Sequence, residues 1–172
     1  MVAVVSLARP LPERMAGIGV AVLAVVWSLS AILVHRQEFL ASGIPLGNAL
    51  LTTMVGGAIA VAGVWFGTGA VIWAMGRLLG GKASFVRVLL AVSAAVPPLW
   101  VAGPMWMLAL AGDGSLLAET TLAVLGTVGL CAFLAMLGVT IGSVQGFTFR
   151  RAFGCMGLTA LFCASYLSLH WQ

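Results

Sequence analysis

Five long apolar stretches, separated by short polar segments, cover most of the 172-residue chain. Each stretch has about twenty residues or more, the length that an α-helix needs to cross the hydrocarbon core of a bilayer. The pattern therefore predicts an all-α polytopic membrane protein: a bundle of five transmembrane helices that forms one domain over residues 15–172. The predicted helices cover residues 15–35, 48–75, 85–111, 120–144 and 151–169, and residues 1–14 form an N-terminal arm.

The few charged residues divide between the two sets of connecting segments. The segments after the second and fourth helices carry basic residues and no acid: Arg77, Lys82, Arg87, Arg150 and Arg151. The segment after the third helix carries Asp113 and Glu119 and no base. Because cytoplasmic loops of membrane proteins collect Lys and Arg, this alternation predicts a cytoplasmic N-terminus and a C-terminus outside. Arg36 is the only Arg or Lys that this prediction places outside.

The composition favours a membrane protein over a soluble one. Apolar residues make up 62% of the chain and charged residues 7%, whereas about a quarter of the residues of soluble domains are charged. The net charge of +4 does not indicate nucleic-acid binding, because the basic residues flank apolar stretches and form no patch interleaved with aromatics. The predicted surroundings are a lipid bilayer, with anionic headgroups at the cytosolic turns and no nucleic acid.

Residue types that carry catalysis or bind metals are sparse and scattered. The four carboxylates fall near or outside the predicted helix boundaries, so no sheltered pair for acid–base catalysis is predicted. The three cysteines form no CxxC pair and the two histidines lie far apart in sequence, so no closed zinc site is predicted. We therefore expect a non-enzymatic protein without a cofactor.

Pro97-Pro98, at mid-membrane depth in the third predicted helix, is the most unusual local feature. Each proline lacks an N–H and its ring clashes with the preceding turn, so Val96 and Pro97 are predicted to be extended or strongly kinked. Non-helical backbone persists in a bilayer only when it is buried in protein or lines a wet cavity. We favour a structural kink satisfied by neighbouring helices and Ser93, because no intramembrane charge accompanies the break. The alternative is the discontinuous helix of a small transporter or channel.

Several glycines are spaced four residues apart: Gly63 and Gly67 in the second helix, and Gly138, Gly142 and Gly146 in and after the fourth. This spacing places small residues on one helix face, where two backbones can approach closely. We favour packing within the bundle over a dimer interface. The sequence leaves open whether the chain forms a homo-oligomer or joins a larger membrane complex.

The segment after the second helix combines glycines with basic residues. Gly80 and Gly81 supply the backbone freedom for a helix C-terminus, while Arg77 and Lys82 extend to the interface, where anionic headgroups lie. Residues 76–83 nearly match a phosphate-binding loop. The match fails because Ala83 stands where that loop requires Ser or Thr, and because a helix and not a strand precedes it.

Three segments together resemble the Ypt-interacting-protein (Yip) family, in particular its short bacterial members. Residues 77–85 resemble the family's leucine, double-glycine, basic, small, phenylalanine stretch after the second helix. Residues 93–97 resemble its small-residue run that ends in proline, and residues 146–152 its turn before the fifth helix. The order and spacing agree over roughly residues 48–170. The chain departs from the family pattern at Ser93, often an aromatic, and near Gln145, often a histidine.

The resemblance implies five helices, a cytosolic N-terminus, and a role in membrane organisation or as a scaffold or partner subunit, with no enzyme activity. It also implies a bacterial plasma (inner) membrane. The acidic-aromatic cytosolic segment of eukaryotic members is not found in this sequence, so GTPase binding is not implied. The interaction candidates are Arg77, Gly80, Gly81, Lys82, Arg87, Ser93, Pro97, Pro98, Arg150 and Arg151.

Overall fold

The computed structural model describes the backbone of residues 13–112 and 114–170, and the side chains of residues 17–112 and 114–165. Residues 1–12 of the predicted arm, Asp113 and the C-terminal Trp171-Gln172 lie outside the described residues. The described chain is all-α, as predicted. Its seven helices are α1 (Glu13–Val34), α2 (Arg36–Ala41), α3 (Leu46–Leu78), α4 (Phe85–Ala95), α5 (Leu99–Ala111), α6 (Leu116–Gln145) and α7 (Phe149–His170).

The division of the chain into helices differs from the predicted one in two places. The third predicted helix is divided into α4 and α5, at the two prolines that predicted a break there. The segment 36–47, predicted as a polar turn, contains the six-residue helix α2. Residues 36–41 include no Gly or Pro, so they can continue the helical path until Gly43, which has a φ of +69°.

Within the described residues, three helices are long and apolar enough to cross a membrane: residues 17–34 of α1, the whole of α3, and the whole of α6. The bent pair α4–α5 adds a fourth if it is counted as one span. The helix α7 forms where the fifth span is predicted, but it is not among these candidates. The length and hydropathy of the helices therefore give three or four of the five predicted spans and suit an integral membrane protein.

The helices form a bundle around two groups of buried apolar side chains. Helix α1 packs against α3, α4 and α5. Helix α6 packs against α4 and α5, and α7 packs against α6 and α3. The larger core group includes the four largest fully buried side chains, one each from α3, α4, α6 and α7: Ile72, Val88, Ile141 and Cys155. The smaller group joins α1 to the end of α4 through Val20, Leu23 and Val96.

The glycines spaced four apart lie in different surroundings. A Cβ atom at Gly138 would come within 2.8 Å of the Phe153 ring, and one at Gly142 within 3.3 Å of the Ala152 Cβ, so α6 and α7 pack closely there. Packing within the bundle does not extend to Gly63 and Gly67, because a Cβ at either meets nothing within 4 Å.

The outer surface of the bundle is apolar. Leu51, Ile59, Leu110 and Leu161 are each between 65% and 77% exposed, and they belong to three different helices, α3, α5 and α7. A water-soluble monomer rarely exposes apolar side chains so widely, whereas a bilayer solvates them without cost. This surface agrees with the candidate spans in indicating lipid as the surrounding medium.

The two glycine environments give a matched test of the packing. Gly138→Leu should lower the free energy of unfolding by about 1–3 kcal/mol, because the added side chain overpacks the contact between α6 and α7. Gly63→Leu should leave it unchanged or raise it slightly, since leucine favours helix and open space is available. Unfolding by detergent titration in mixed micelles measures both. Equal losses for the two variants would contradict the described packing.

Candidate functional site

Helices α3 and α6 end in the same way. After α3, Gly80 has a φ of +84°, and the Gly81 N–H donates to the Gly76 carbonyl at 2.8 Å. After α6, Gly146 has a φ of +70°, so it is a helix cap, and the Phe147 N–H donates to the Gly142 carbonyl at 2.9 Å. Both ends are Schellman motifs, which satisfy terminal carbonyls through a residue in the left-handed region. We call residues 76–87 and 142–152 the paired turns.

The side chain of Gln145 joins the paired turns. It is only 6% exposed, and its Oε1 accepts a hydrogen bond of 3.2 Å from the Ala83 N–H. Its Nε2 lies against Gly76 and has no hydrogen-bond partner among the described residues. A Cβ at Gly76 or at Gly81 would collide with the Gln145 amide. These two glycines therefore leave the space in which a side chain of α6 reaches the turn between α3 and α4.

The paired turns bring the predicted basic residues to one end of the bundle. Their five cationic side chains are all exposed: Arg77, Lys82, Arg87, Arg150 and Arg151. The Arg77 guanidinium donates to the Gly81 carbonyl at 3.5 Å, and the Arg87 backbone N–H donates to the Ser84 Oγ at 3.4 Å. No salt bridge to these cations is found among the described residues, so this end carries a positive surface.

The opposite end of the bundle carries the described acidic side chains. A cleft of about 860 Å³ lies there between the α1–α2 junction and the end of α5, and Glu38 and Leu110 are among its lining residues. His35 Nδ1 lies 3.3 Å from Glu38 Oε2, with both side chains exposed. Glu119 follows in the first turn of α6. The segments 36–47 and 114–119 therefore lie at the end away from the paired turns.

The break between α4 and α5 is a kink of 58° and not an extended segment. Val96 keeps helical angles, with a φ of −62° and a ψ of −34°. Hydrogen bonds continue across the kink, from the Leu99 N–H to the Val96 carbonyl at 2.8 Å and from the Trp100 N–H to the Pro97 carbonyl at 3.1 Å. The N–H groups of Leu99 and Trp100 thus have partners within the chain at this point, as hydrocarbon surroundings favour.

Side chains fix the kink to its own helix and to α1. The buried Ser93 hydroxyl donates to the Leu89 carbonyl at 2.9 Å, one turn back in α4. The Trp100 indole Nε1–H donates to the Gly19 carbonyl of α1 at 3.0 Å. Pro97 is exposed and Pro98 is half-buried, so the prolines lie on the outer side of the kink.

An apolar cavity of about 470 Å³ lies beside the kink. Its walls come from α1, α3, α4, α5 and α6 and are lined by no ionisable side chain. The polar groups in the wall are the hydroxyls of Ser28, Thr53 and Thr68 and the indole N–H groups of Trp27 and Trp65. The Ser28 hydroxyl donates to the Thr53 carbonyl at 3.3 Å, whereas the buried Trp65 Nε1–H has no hydrogen-bond partner among the described residues. Among the described residues, no group of three or more His, Cys, Asp or Glu side chains could hold a metal ion.

Comparison of the chain with protein-family models, curated proteins and solved structures finds no match. The resemblance to the Yip family therefore stays a prediction, carried by residues 77–85, 93–97 and 146–152.

Two residues with central contacts in these regions were not among the predicted site residues. The sequence does hold a sign that Gln145 has a structural contact, because it is an amide side chain at the end of a long apolar stretch and directly precedes a glycine. The sequence holds no such sign for Trp100, because tryptophans are common in membrane helices and its hydrogen-bond partner, Gly19, is remote in sequence. Both contacts depend on which helices become neighbours.

The space around Gln145 predicts strong coupling with Gly76. Gly76→Ala alone should destabilise the protein, because the new methyl group collides with the Gln145 amide. Gln145→Ala alone should cost about 1–3 kcal/mol, because it leaves the buried Ala83 N–H unpaired. With the amide removed, Gly76→Ala should cost far less, giving a coupling of at least about 0.5 kcal/mol. Detergent-titration unfolding of the four proteins measures this, and additive losses would contradict the described contact.

Proposed function

We propose that this chain is a plasma-membrane protein of Yip type that acts without enzyme activity, as a scaffold or a partner subunit. It crosses the bilayer five times, with its N-terminus in the cytoplasm, and its paired turns face the cytoplasm. The observation that carries the proposal is the hydrogen bond from Ala83 to Gln145, because it holds two basic turns, remote in sequence, at one end of the bundle.

The fifth crossing is proposed from the packing of α7. Its buried residues, Ala152, Cys155 and Thr159, follow a helical spacing and face the rest of the bundle. Its other side exposes Leu158, which is 43% exposed, and Phe162, which is 50% exposed. A helix that is apolar on its packed face and on its exposed face suits lipid surroundings. This supports a span.

The proposed ligand of the paired turns is negatively charged and lies at the cytoplasmic interface. Each Lys or Arg near an anionic leaflet contributes about 1 kcal/mol of attraction. Guanidinium groups also bind phosphate and carboxylate through two parallel hydrogen bonds. Anionic lipid headgroups meet this description, and so does an acidic surface on a partner subunit. In both cases Gln145 acts indirectly, by holding the two turns together.

The alternative of a small transporter or channel has less support from the structure. A path for an ion or polar solute needs polar or ionisable groups along its wall. The cavity beside the Pro97-Pro98 kink is lined by no ionisable group, and the Ser93 hydroxyl is already bound to its own helix. The observations at the kink therefore favour a structural role.

Neutralising one basic turn tests the proposed lipid contact. The triple variant Arg77→Gln, Lys82→Gln, Arg87→Gln should retain less phosphatidylglycerol than the native chain when purified from mixed phosphatidylglycerol–phosphatidylcholine bilayers. The expected loss is roughly fivefold for each residue that contacts a headgroup. Arg36→Gln, at the opposite end, is the control and should change nothing. Unchanged phosphatidylglycerol in the triple variant would contradict the lipid contact.

The partner role is tested by purifying the native complex in mild detergent. A scaffold or partner subunit should carry at least one other protein, or a second copy, in a constant ratio. The same triple variant should lose that partner while it still inserts into the membrane. If insertion and partner recovery both survive the triple change, the basic turn is not the binding surface.

A further inference from the structure

The apolar cavity beside the kink reaches from the outer surface of the bundle to its interior. On the outer side its wall includes Ala60 and Val64 of α3, and Val64 is 69% exposed. On the inner side it is closed by Val92 and Val96 of α4, which are each 4% exposed. A molecule that touches these two valines through the cavity must therefore have left the surrounding medium and entered the bundle.

The chemistry of the wall selects an apolar occupant. A buried water needs two to four polar partners. The polar groups of the wall are few, because the Ser28 hydroxyl is already bound to a carbonyl and the unpartnered Trp65 Nε1–H can donate only one hydrogen bond. The volume of about 470 Å³ is roughly three times that of the ~150 Å³ apolar cavities in other proteins that bind benzene. The space is therefore large enough for a ligand and suited to hydrocarbon.

The volume of the cavity suits a lipid acyl chain better than a protein helix. An α-helix about 10 Å across fills roughly 420 Å³ in each turn of 5.4 Å. The cavity therefore holds no more than about one turn of a helix. A flexible acyl chain is the narrow apolar molecule that the bilayer supplies at this depth.

We propose that this cavity binds one acyl chain of a bilayer phospholipid, inserted sideways between α3 and the kinked helix pair. The chain fills the flank of the Pro97-Pro98 kink and contacts Val92 and Val96. Small residues on α3, in particular Gly56 and Ala60, leave the space that it occupies. This site is separate from the paired turns, and it rests only on a bilayer surrounding the bundle.

Photocrosslinking tests this proposal on the full-length protein. The chain is reconstituted in phosphatidylcholine that includes a fraction with a mid-chain diazirine, irradiated, and mapped by peptide mass spectrometry. Surface lipid should give adducts on outward residues such as Ile59, and a bound chain should also give adducts on Val92 or Val96. Adducts confined to outward residues in the native protein would overturn the proposal, with no variant needed.

A matched pair of variants tests the path into the cavity. Ala60→Phe fills the cavity from its α3 wall and should reduce the adducts on Val92 and Val96 at least tenfold, since excluding two methylene groups suffices for about that loss. Ala58→Phe places the same ring on an exposed position of α3 outside the cavity, and should leave those adducts unchanged. Adducts on the two valines that persist in Ala60→Phe would overturn the proposed site.

Neutralising the basic turn should not change the adducts on Val92 and Val96. A failure of the acyl-chain proposal is therefore distinguishable from a failure of the proposed function, which is measured by phosphatidylglycerol retention and partner recovery.

Discussion

Backbone surrounded by hydrocarbon has no water to bind, so its hydrogen bonds must be made within the chain. In this protein, backbone N–H groups find partners within the chain both where α3 and α6 end and where the α4–α5 pair bends. The ends of α3 and α6 turn back on themselves through Gly80 and Gly146. The Gln145 amide then accepts the Ala83 N–H from the turn between α3 and α4. At the kink, the Trp100 indole N–H donates a hydrogen bond to the Gly19 carbonyl of α1.

The second constraint is that lipid provides no hydrophobic force to press the helices together, so close contact must come from small residues. Gly138 and Gly142 allow α7 to approach α6, and Gly129 allows the α6 backbone to approach Ala102 of α5. Beside the kink, small residues of α3 do not bring helices into close contact; instead they leave a cavity. Tight contacts and an apolar cavity thus arise in one bundle from the same residue types.

The sequence predicts most of the helices, because the length of an apolar stretch is a local property that the bilayer thickness sets. It also predicts the break at Pro97-Pro98, since the loss of an N–H depends only on the residue type. It does not predict that Gly138 packs against another helix while Gly63 does not. Both glycines have the same four-residue spacing, and the spacing does not indicate which helix lies opposite. The contacts of Gln145 and Trp100 were missed for the same reason, as each needs a partner that only the tertiary fold supplies.

In the proposed topology the two basic turns share the cytoplasmic side of the membrane. Cysteines introduced by Lys82→Cys, Arg150→Cys, Ser42→Cys and Ser115→Cys, one at a time, can be labelled with a membrane-impermeant maleimide in oriented vesicles, against the background of the native cysteines. Labelling of positions 82 and 150 only from the cytoplasmic side, and of positions 42 and 115 only from the outside, is the predicted result. Labelling of positions 82 and 115 from one common side would contradict it.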